Sequence, residues 1–471
     1  MIPPRATSLS MVVAALAAVA DPAVVLPPPR RRRRLLRVAA WGLGALVLAV
    51  GGTVAVVHVR AVRTIEAYRA RFERERVPVE ARDRGRPALL PADGSGSAED
   101  AADRYVAAID RVPPRDRDAL RAPEDVNDDS DEPPVDASPE HQDQVIAAHP
   151  EPIEALLAVL RAPSRPPPPI VDHVARKAEL DPMVRRSHGT FWAEAVVRRH
   201  VAHDERGPAL RVIAALIALG ADLERTGGAL SLFLGATPMR AGLLRFADAS
   251  ASGPLPVDAA RELANVLDRL EAARLPWSDY VDVERMTFFG LWTAHNLDGD
   301  AFVKTGWRHL WSLRVFRAAA LEEGDAAWSR IAALHAGDEA DLHAAREESF
   351  IITNGVENKL AGMHLITAPM VLRQALRLST SWRLARTALA LRLHADTHGR
   401  LPDRLDALVP AFLPAVPTDP WSGRPLRYVA GPPARVWSVG PDRVDDEGKP
   451  SDDPDDAGSH GDEVVVVHPP R

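Results

Sequence analysis

The chain has 471 residues, a formal net charge of −7 and no cysteine. Without cysteine, disulfides, thiolate metal sites, iron–sulfur clusters and cysteine nucleophiles are excluded together. The length leaves room for more than one domain, and the charge is uneven, with a basic amino end and an acidic carboxyl end.

Residues 1–37 read as a basic cytoplasmic tail, with Pro27, Pro28 and Pro29 followed by Arg30 to Arg34 and then Arg37. The run Val38 to Val57 then carries no Asp, Glu, Lys or Arg. Twenty residues at about 1.5 Å each cover roughly 30 Å, the thickness of a bilayer's hydrocarbon core, so residues 38–57 are expected to span the membrane. Short flanks rich in Arg tend to stay cytoplasmic. The reading is therefore a single-pass protein of the inner membrane, amino terminus inside and bulk outside. A competing reading takes Met11 to Ala20, ending Ala18-Val19-Ala20, as a cleaved signal that would reverse this topology. Against it stand the single positive charge at Arg5 and the export of six arginines that it would require. No aromatic residues interleave the arginines, so a nucleic-acid partner is not expected; the partner of 38–57 is the lipid bilayer.

Residues 58–97 are expected to form a juxtamembrane helix and a linker. Ile65, Tyr68 and Phe72 recur at helical spacing, Pro78 is expected to end the helix near Arg76, and the Gly- and Pro-rich stretch Arg82 to Glu99 reads as linker. A helical domain over 98–383 follows. Ala102, Tyr105, Val106 and Ile109 form one helical stripe stopped by Pro113 and Pro114, and Ile153, Leu156, Leu157 and Leu160 form another. Between them, 113–142 mixes acids and prolines and reads as a long mobile loop. Pro166 to Pro169 predict a polyproline II spacer. Further helices are predicted around Val212 to Ile217 and Leu263 to Leu270, the latter with Asp258 as N-cap, and strand-like alternation is scarce before Ser379.

The pattern changes over 384–471. Leu384, Ala388, Leu391 and Ala395 close a last helix, with Gly399 in position for a left-handed cap. Leu426 to Val429, Arg435 to Val439 and Glu463 to His468 are short strand candidates. The fold class is thus mainly α, with one membrane helix, a large all-α extracytoplasmic body and a small carboxyl-terminal α+β domain of short antiparallel strands.

The residues of this end resemble a known family. Ala390-Leu391-Arg392, His398 to Pro402 and Leu405 to Pro410, followed by Asp419-Pro420-Trp421-Ser422-Gly423, Pro425 to Tyr428, Trp437 to Asp442, and Asp462-Glu463, are similar to the succession in G-type pseudopilins of type II secretion systems. The likeness covers roughly the last eighty residues. It implies a calcium-binding loop with Asp442 and Asp462 as ligands. Ligand chemistry adds Asp445, Asp446 and Glu463 among the crowded acids between Pro441 and Glu463, since calcium takes six to eight oxygens. The run Lys449 to His460 is an insertion relative to the family pattern. The family's processing motif, Gly followed by Phe, Thr, Leu and a Glu, is absent around Arg37 to Trp41. The whole layout resembles bacterial membrane-anchored proteins that end in such a domain.

Catalytic patterns are weak. His200 and His203, beside Asp204 and Glu205, have i, i+3 spacing without a third ligand or the zinc-protease Glu. Ser187-His188 is an adjacency, not a triad, and Glu284 with Arg285 reads as a buried pair. Asn296, Asp298 and Asp300 begin like an EF-hand, but Ala301 and Trp307 stand at its Gly and Glu positions. There is no Gly-x-Gly-x-x-Gly and no phosphate-binding loop, so no nucleotide is expected. The leading expectation is a noncatalytic binding or scaffolding protein of the bacterial envelope. Its rivals are a secretion or pilus component working with other pseudopilins, and a metal-dependent hydrolase on the helical body.

Overall fold

The computed structural model describes residues 29–92, 94, 96–121, 136–171, 180–293, 314–333, 342–357, 359–451 and 460–469. The chain divides into two compact units, Met1–Thr64 and Ile65–Arg471. Helix α1, Pro29–Glu80, contributes to both, and each is taken by itself.

In the first unit the apolar run is helical, and it is the one segment among the described residues long and apolar enough to cross a membrane. Among the described residues its large side chains are exposed: Trp41 is 80% exposed and Leu48 77%. A soluble protein seldom leaves so continuous an apolar surface uncovered.

The second unit begins with the last turns of α1. Ile65, Phe72 and Val79, two helical turns apart, are buried. The helix does not end at Arg76. It continues through Pro78, because a proline in the last turn forfeits one hydrogen bond and Ala81 N still reaches Val77 O at 3.0 Å. The described residues of 81–97 form no regular helix, but they are bound to the body between Arg84 and Leu90. Arg86 and Ser164 exchange backbone bonds of 3.1 and 3.0 Å, and Leu89 and Leu90 both donate to Leu160 O. Within it, Arg86 meets Asp222 through Nε at 2.7 Å and Nη2 at 2.5 Å, and Arg84 grips Asp279 at 2.8 and 2.9 Å, all four residues being buried.

The body is helical: α2 Ala98–Arg111, α3 Pro114–Ala119, α4 Pro139–Ala148, α5 Glu151–Ala158, α6 Leu180–His188, α7 Thr190–Ala202, α8 Arg206–Glu224, α9 Gly228–Ala251, α10 Val257–Ala272, α11 Trp277–Thr293, α12 Arg314–Ala333, α13 Leu342–Asn354, α14 Lys359–Leu365 and α15 Thr367–His398. A reciprocal capping box of Ser97 and Asp100 starts α2, whose predicted stripe is buried. The acidic, proline-rich loop is shorter than 113–142. Pro114 sits at the first position of α3, where its missing N–H costs nothing, and Ser138 caps α4; residues 122–135 lie outside the described residues. Asp258 does not cap α10, which starts one residue earlier after Pro256. The polyproline stretch runs without helix or strand.

Helix α8 is apolar nearly all round and is buried from Ala209 to Gly220 except at the exposed Arg211, which makes it the centre of the unit. It packs closely on α9. A β-carbon at Gly220 or Gly235 would collide with the other's carbonyl oxygen, and one at Gly242 would meet Ile217.

The carboxyl end joins the same core. Strands β1 Arg427–Val429, β2 Ala434–Ser438 and β3 Glu463–Val467 form an antiparallel sheet in that order, with Val436 opposite Val465 and Ala434 opposite Val467. These four side chains are buried on one face, in one apolar cluster with Leu210, Phe246, Leu384 and Leu391. The boundary anticipated at residue 384 therefore falls within a continuous helix and a continuous core. Gly399 ends α15 at φ 71°, the left-handed cap its position predicts.

Replacing Arg86 by Met leaves the Asp222 carboxylate buried without its partner. A loss of about 3–5 kcal/mol is expected in denaturant unfolding, and the double change Arg86→Met with Asp222→Leu should recover most of it.

Candidate functional site

The carboxyl-terminal signature is organised by Asp419. Its carboxylate accepts hydrogen bonds from Trp421 N at 3.1 Å, Ser422 Oγ at 2.8 Å, Ser438 Oγ at 2.7 Å and Val439 N at 3.2 Å, and it is 1% exposed. It thereby joins the 419–423 turn to the end of β2. Trp421 and Val439 then pack with Leu376 of α15. The signal was available in the sequence, because an Asp that starts a Pro-Trp-Ser-Gly turn binds the N–H two residues on.

The five predicted ligands lie beyond that turn and do not all face one point. Asp442 accepts from Val444 N at 3.1 Å and meets His460 Nδ1 at 3.2 Å. Asp445 is committed to Arg427 at 2.9 Å, Trp437 Nε1 at 3.1 Å and Glu447 N at 3.2 Å; the Arg427 bond, ahead of the others, holds its carboxyl below the usual range. Asp462 accepts from Gly448 N at 2.7 Å and Asp446 N at 3.3 Å, closing the loop on itself. Burial pushes its carboxyl up, with the neighbouring Asp445 and Asp446 charges adding to the shift against the two backbone donors. The Oδ2 of Asp446 is buried without a hydrogen-bond partner. Glu463 leaves the group: at the start of β3 its side chain turns to the Ser381 hydroxyl on α15, and burial raises its carboxyl despite Ser381, Arg240 and Arg377. A period of two explains this, since consecutive strand residues point to opposite faces.

The insertion is closed at its base. Ser451 N donates to Asp462 O at 3.1 Å and Asp462 N to Lys449 O at 2.8 Å. Asp452, Asp453, Asp455 and Asp456 lie outside the described residues. Of the five predicted residues, Asp445 is tied up by Arg427 and Trp437 and Glu463 by Ser381, whereas Asp446 keeps one buried oxygen without a hydrogen-bond partner beside Asp462. Among the described residues no group of three or more His, Asp or Glu is gathered as a metal cluster.

The other predicted clusters separate. His200 Nδ1 pairs with Glu205 and His203 Nε2 with Asp143, each at 2.7 Å, so the two rings have different carboxylate partners. Ser187 donates to Leu234 O at 2.9 Å. Asn296, Asp298 and Asp300 lie outside the described residues. Glu284 and Arg285 do not pair, because adjacent helical residues diverge by about 100°. Arg285 binds Asp325 at 2.9 Å through Nε, whereas Glu284 accepts from Ala229 N at 2.6 Å, in the first turn of α9. Its other oxygen is 3.6 Å from His364 Nε2.

Burial pushes the Glu284 carboxyl up to about 7, against the pull of the Ala229 N–H and Thr367. An acid whose folded value exceeds its unfolded one favours folding at low pH and loses that contribution as pH rises through the folded value. From the ordinary 4.5 to about 7 the loss is of order 3 kcal/mol. Glu284→Gln should therefore lose less stability than the parent between pH 5 and pH 8, as read from paired unfolding midpoints; parallel curves would contradict this.

Comparison with protein-family models, with curated proteins and with solved structures finds no match to this chain.

Proposed function

We propose that this chain is a single-pass protein of the bacterial inner membrane whose body lies outside the cytoplasm, where it binds or scaffolds other envelope components without catalysis. The observation that carries the reading is the uncovered apolar surface of α1 beside its arginine-rich start. The arginine flank supports an amino terminus inside. Protease added to spheroplasts expressing the intact chain should degrade the body and spare the membrane segment; a body cut only after lysis would overturn the orientation.

A second reading, a component of a secretion or pilus-like assembly, is favoured by one arrangement: a long helix, α15, with a three-stranded antiparallel sheet packed on it and the turn held by Asp419. The likeness of the last eighty residues to pseudopilins supports the same reading. Copurification with pseudopilins would support it, and their absence from crosslinked membranes of a cell that makes them would count against it.

We further propose calcium as the ligand of the carboxyl-terminal loop, held by Asp442, Asp446 and Asp462. The donor chemistry suits it: hard carboxylate oxygens, one of them buried and unpartnered, stand beside like charges that a cation would relieve. Calcium at a hundred times its dissociation constant would stabilise the protein by about 2.7 kcal/mol. The unfolding midpoint of the full chain should rise with calcium relative to chelator, by more at pH 7 than at pH 5 because bound carboxylates must be ionised. Asp446→Ala with Asp462→Ala should abolish the rise, and an unchanged midpoint in the parent would end the proposal.

A further inference from the structure

A cavity of about 490 Å³ lies within the second unit, among α8, α9, α10, α11 and α15. That volume suits a small organic molecule. Leu232, Met239, Leu378 and Trp382 give it an apolar wall, and Trp277 stacks on Tyr280 at its edge with ring centroids 4.7 Å apart.

The charged groups on the lining are not equivalent. Arg225 is committed to backbone carbonyls, reaching Arg84 O at 2.7 Å, Gly85 O at 2.6 Å and also Ala273 O. Asp279 is held by Arg82 and Arg84, and Glu271 stands 3.8 Å from Arg274. Glu224 is different. Among the described residues no hydrogen bond reaches its carboxylate, which interacts with Arg274 and Arg225 through charge alone, and the side chain is partly buried. It is also the last residue of α8, where the negative end of the helix dipole disfavours an anion. Burial raises its carboxyl, with the Arg274 field opposing.

A carboxylate without a hydrogen-bond donor, at the wrong end of a helix and in a cavity lined also by an aromatic pair and an apolar wall, feels the Arg274 charge only at a distance and has the chemistry to accept a cation in direct contact. We propose that the cavity binds a small amphipathic amine, with the ammonium group on Glu224 and the apolar body among Leu232, Met239, Leu378 and Trp382. Trp277 and Tyr280 would add cation–π attraction near the same end. This inference stands apart from the membrane reading and from the calcium loop.

The test uses the full chain in phosphatidylcholine nanodiscs, with empty nanodiscs subtracted, and three probes of matched size: phenethylamine, 2-phenylethanol and 3-phenylpropionate. Calorimetry at pH 7.5 should show saturable binding of the amine at least tenfold tighter than of the alcohol, with the acid weakest. Glu224→Gln keeps the shape and removes a poorly solvated charge, so its unfolding midpoint should equal or exceed the parent's while the amine's advantage over the alcohol disappears. Equal affinity for amine and alcohol, preference for the acid, no saturable binding, or an amine preference that survives in folded Glu224→Gln would each overturn the proposal.

Discussion

Three buried arginines decide where the chain goes after its first helix. Arg84 and Arg86 leave an otherwise irregular stretch and enter the helical body, where Asp279 and Asp222 receive them in paired contacts. Arg225, from the connection between α8 and α9, then caps the carbonyls of Arg84 and Gly85. Apart from Leu89 and Leu90, this stretch has little apolar surface of its own to bury. Its place is held instead by guanidinium groups whose fork geometry matches carboxylates and carbonyls. Two charges removed from water in this way are poor sources of net stability, but either one alone is costly, so the arrangement specifies a position more than it strengthens the fold.

The same logic operates at the carboxyl end with a single acid. Asp419 gathers four donors from a turn and a strand end that are about twenty residues apart, and the sheet so fixed presents Val436, Val465 and their neighbours to α15 and α9. The Ser250 hydroxyl and His468 add bonds between α9 and the β3 end. The small sheet is too short to bury a core alone, which is why it shares one with the helices.

Charge is then left over at two places, of different character. In the acidic loop, Asp445 is satisfied by Arg427 and Asp462 by the backbone donors of Asp446 and Gly448, while the neighbouring Asp446 keeps a buried oxygen without a partner. In the cavity between helices, the Glu224 carboxylate has no hydrogen-bond donor among the described residues, and beside the charged Arg274 and Glu271 the lining is apolar and aromatic. Oxygen-rich crowding favours a hard metal cation, and an apolar surround favours an organic one.

Local pattern made much of this visible in the sequence. A twenty-residue run without charge, the stripe from Ala102 to Ile109, the glycine at 399 and the strand candidates near 427, 435 and 463 all depend on neighbours within a few residues, and the structure has a helix, cap or strand at each. What tertiary structure alone decided are the long-range partners. Asp222 stands 136 positions from Arg86, and Asp325 takes Arg285 away from Glu284. Glu463 turns from the acids beside it to Ser381, because the strand's alternation and the packed helix outweigh adjacency in sequence. Glu224 has no local signature at all. Its setting arises only where five helices fail to fill the space between them, and helical periodicity records which face of each helix is buried but not the room left where those faces meet.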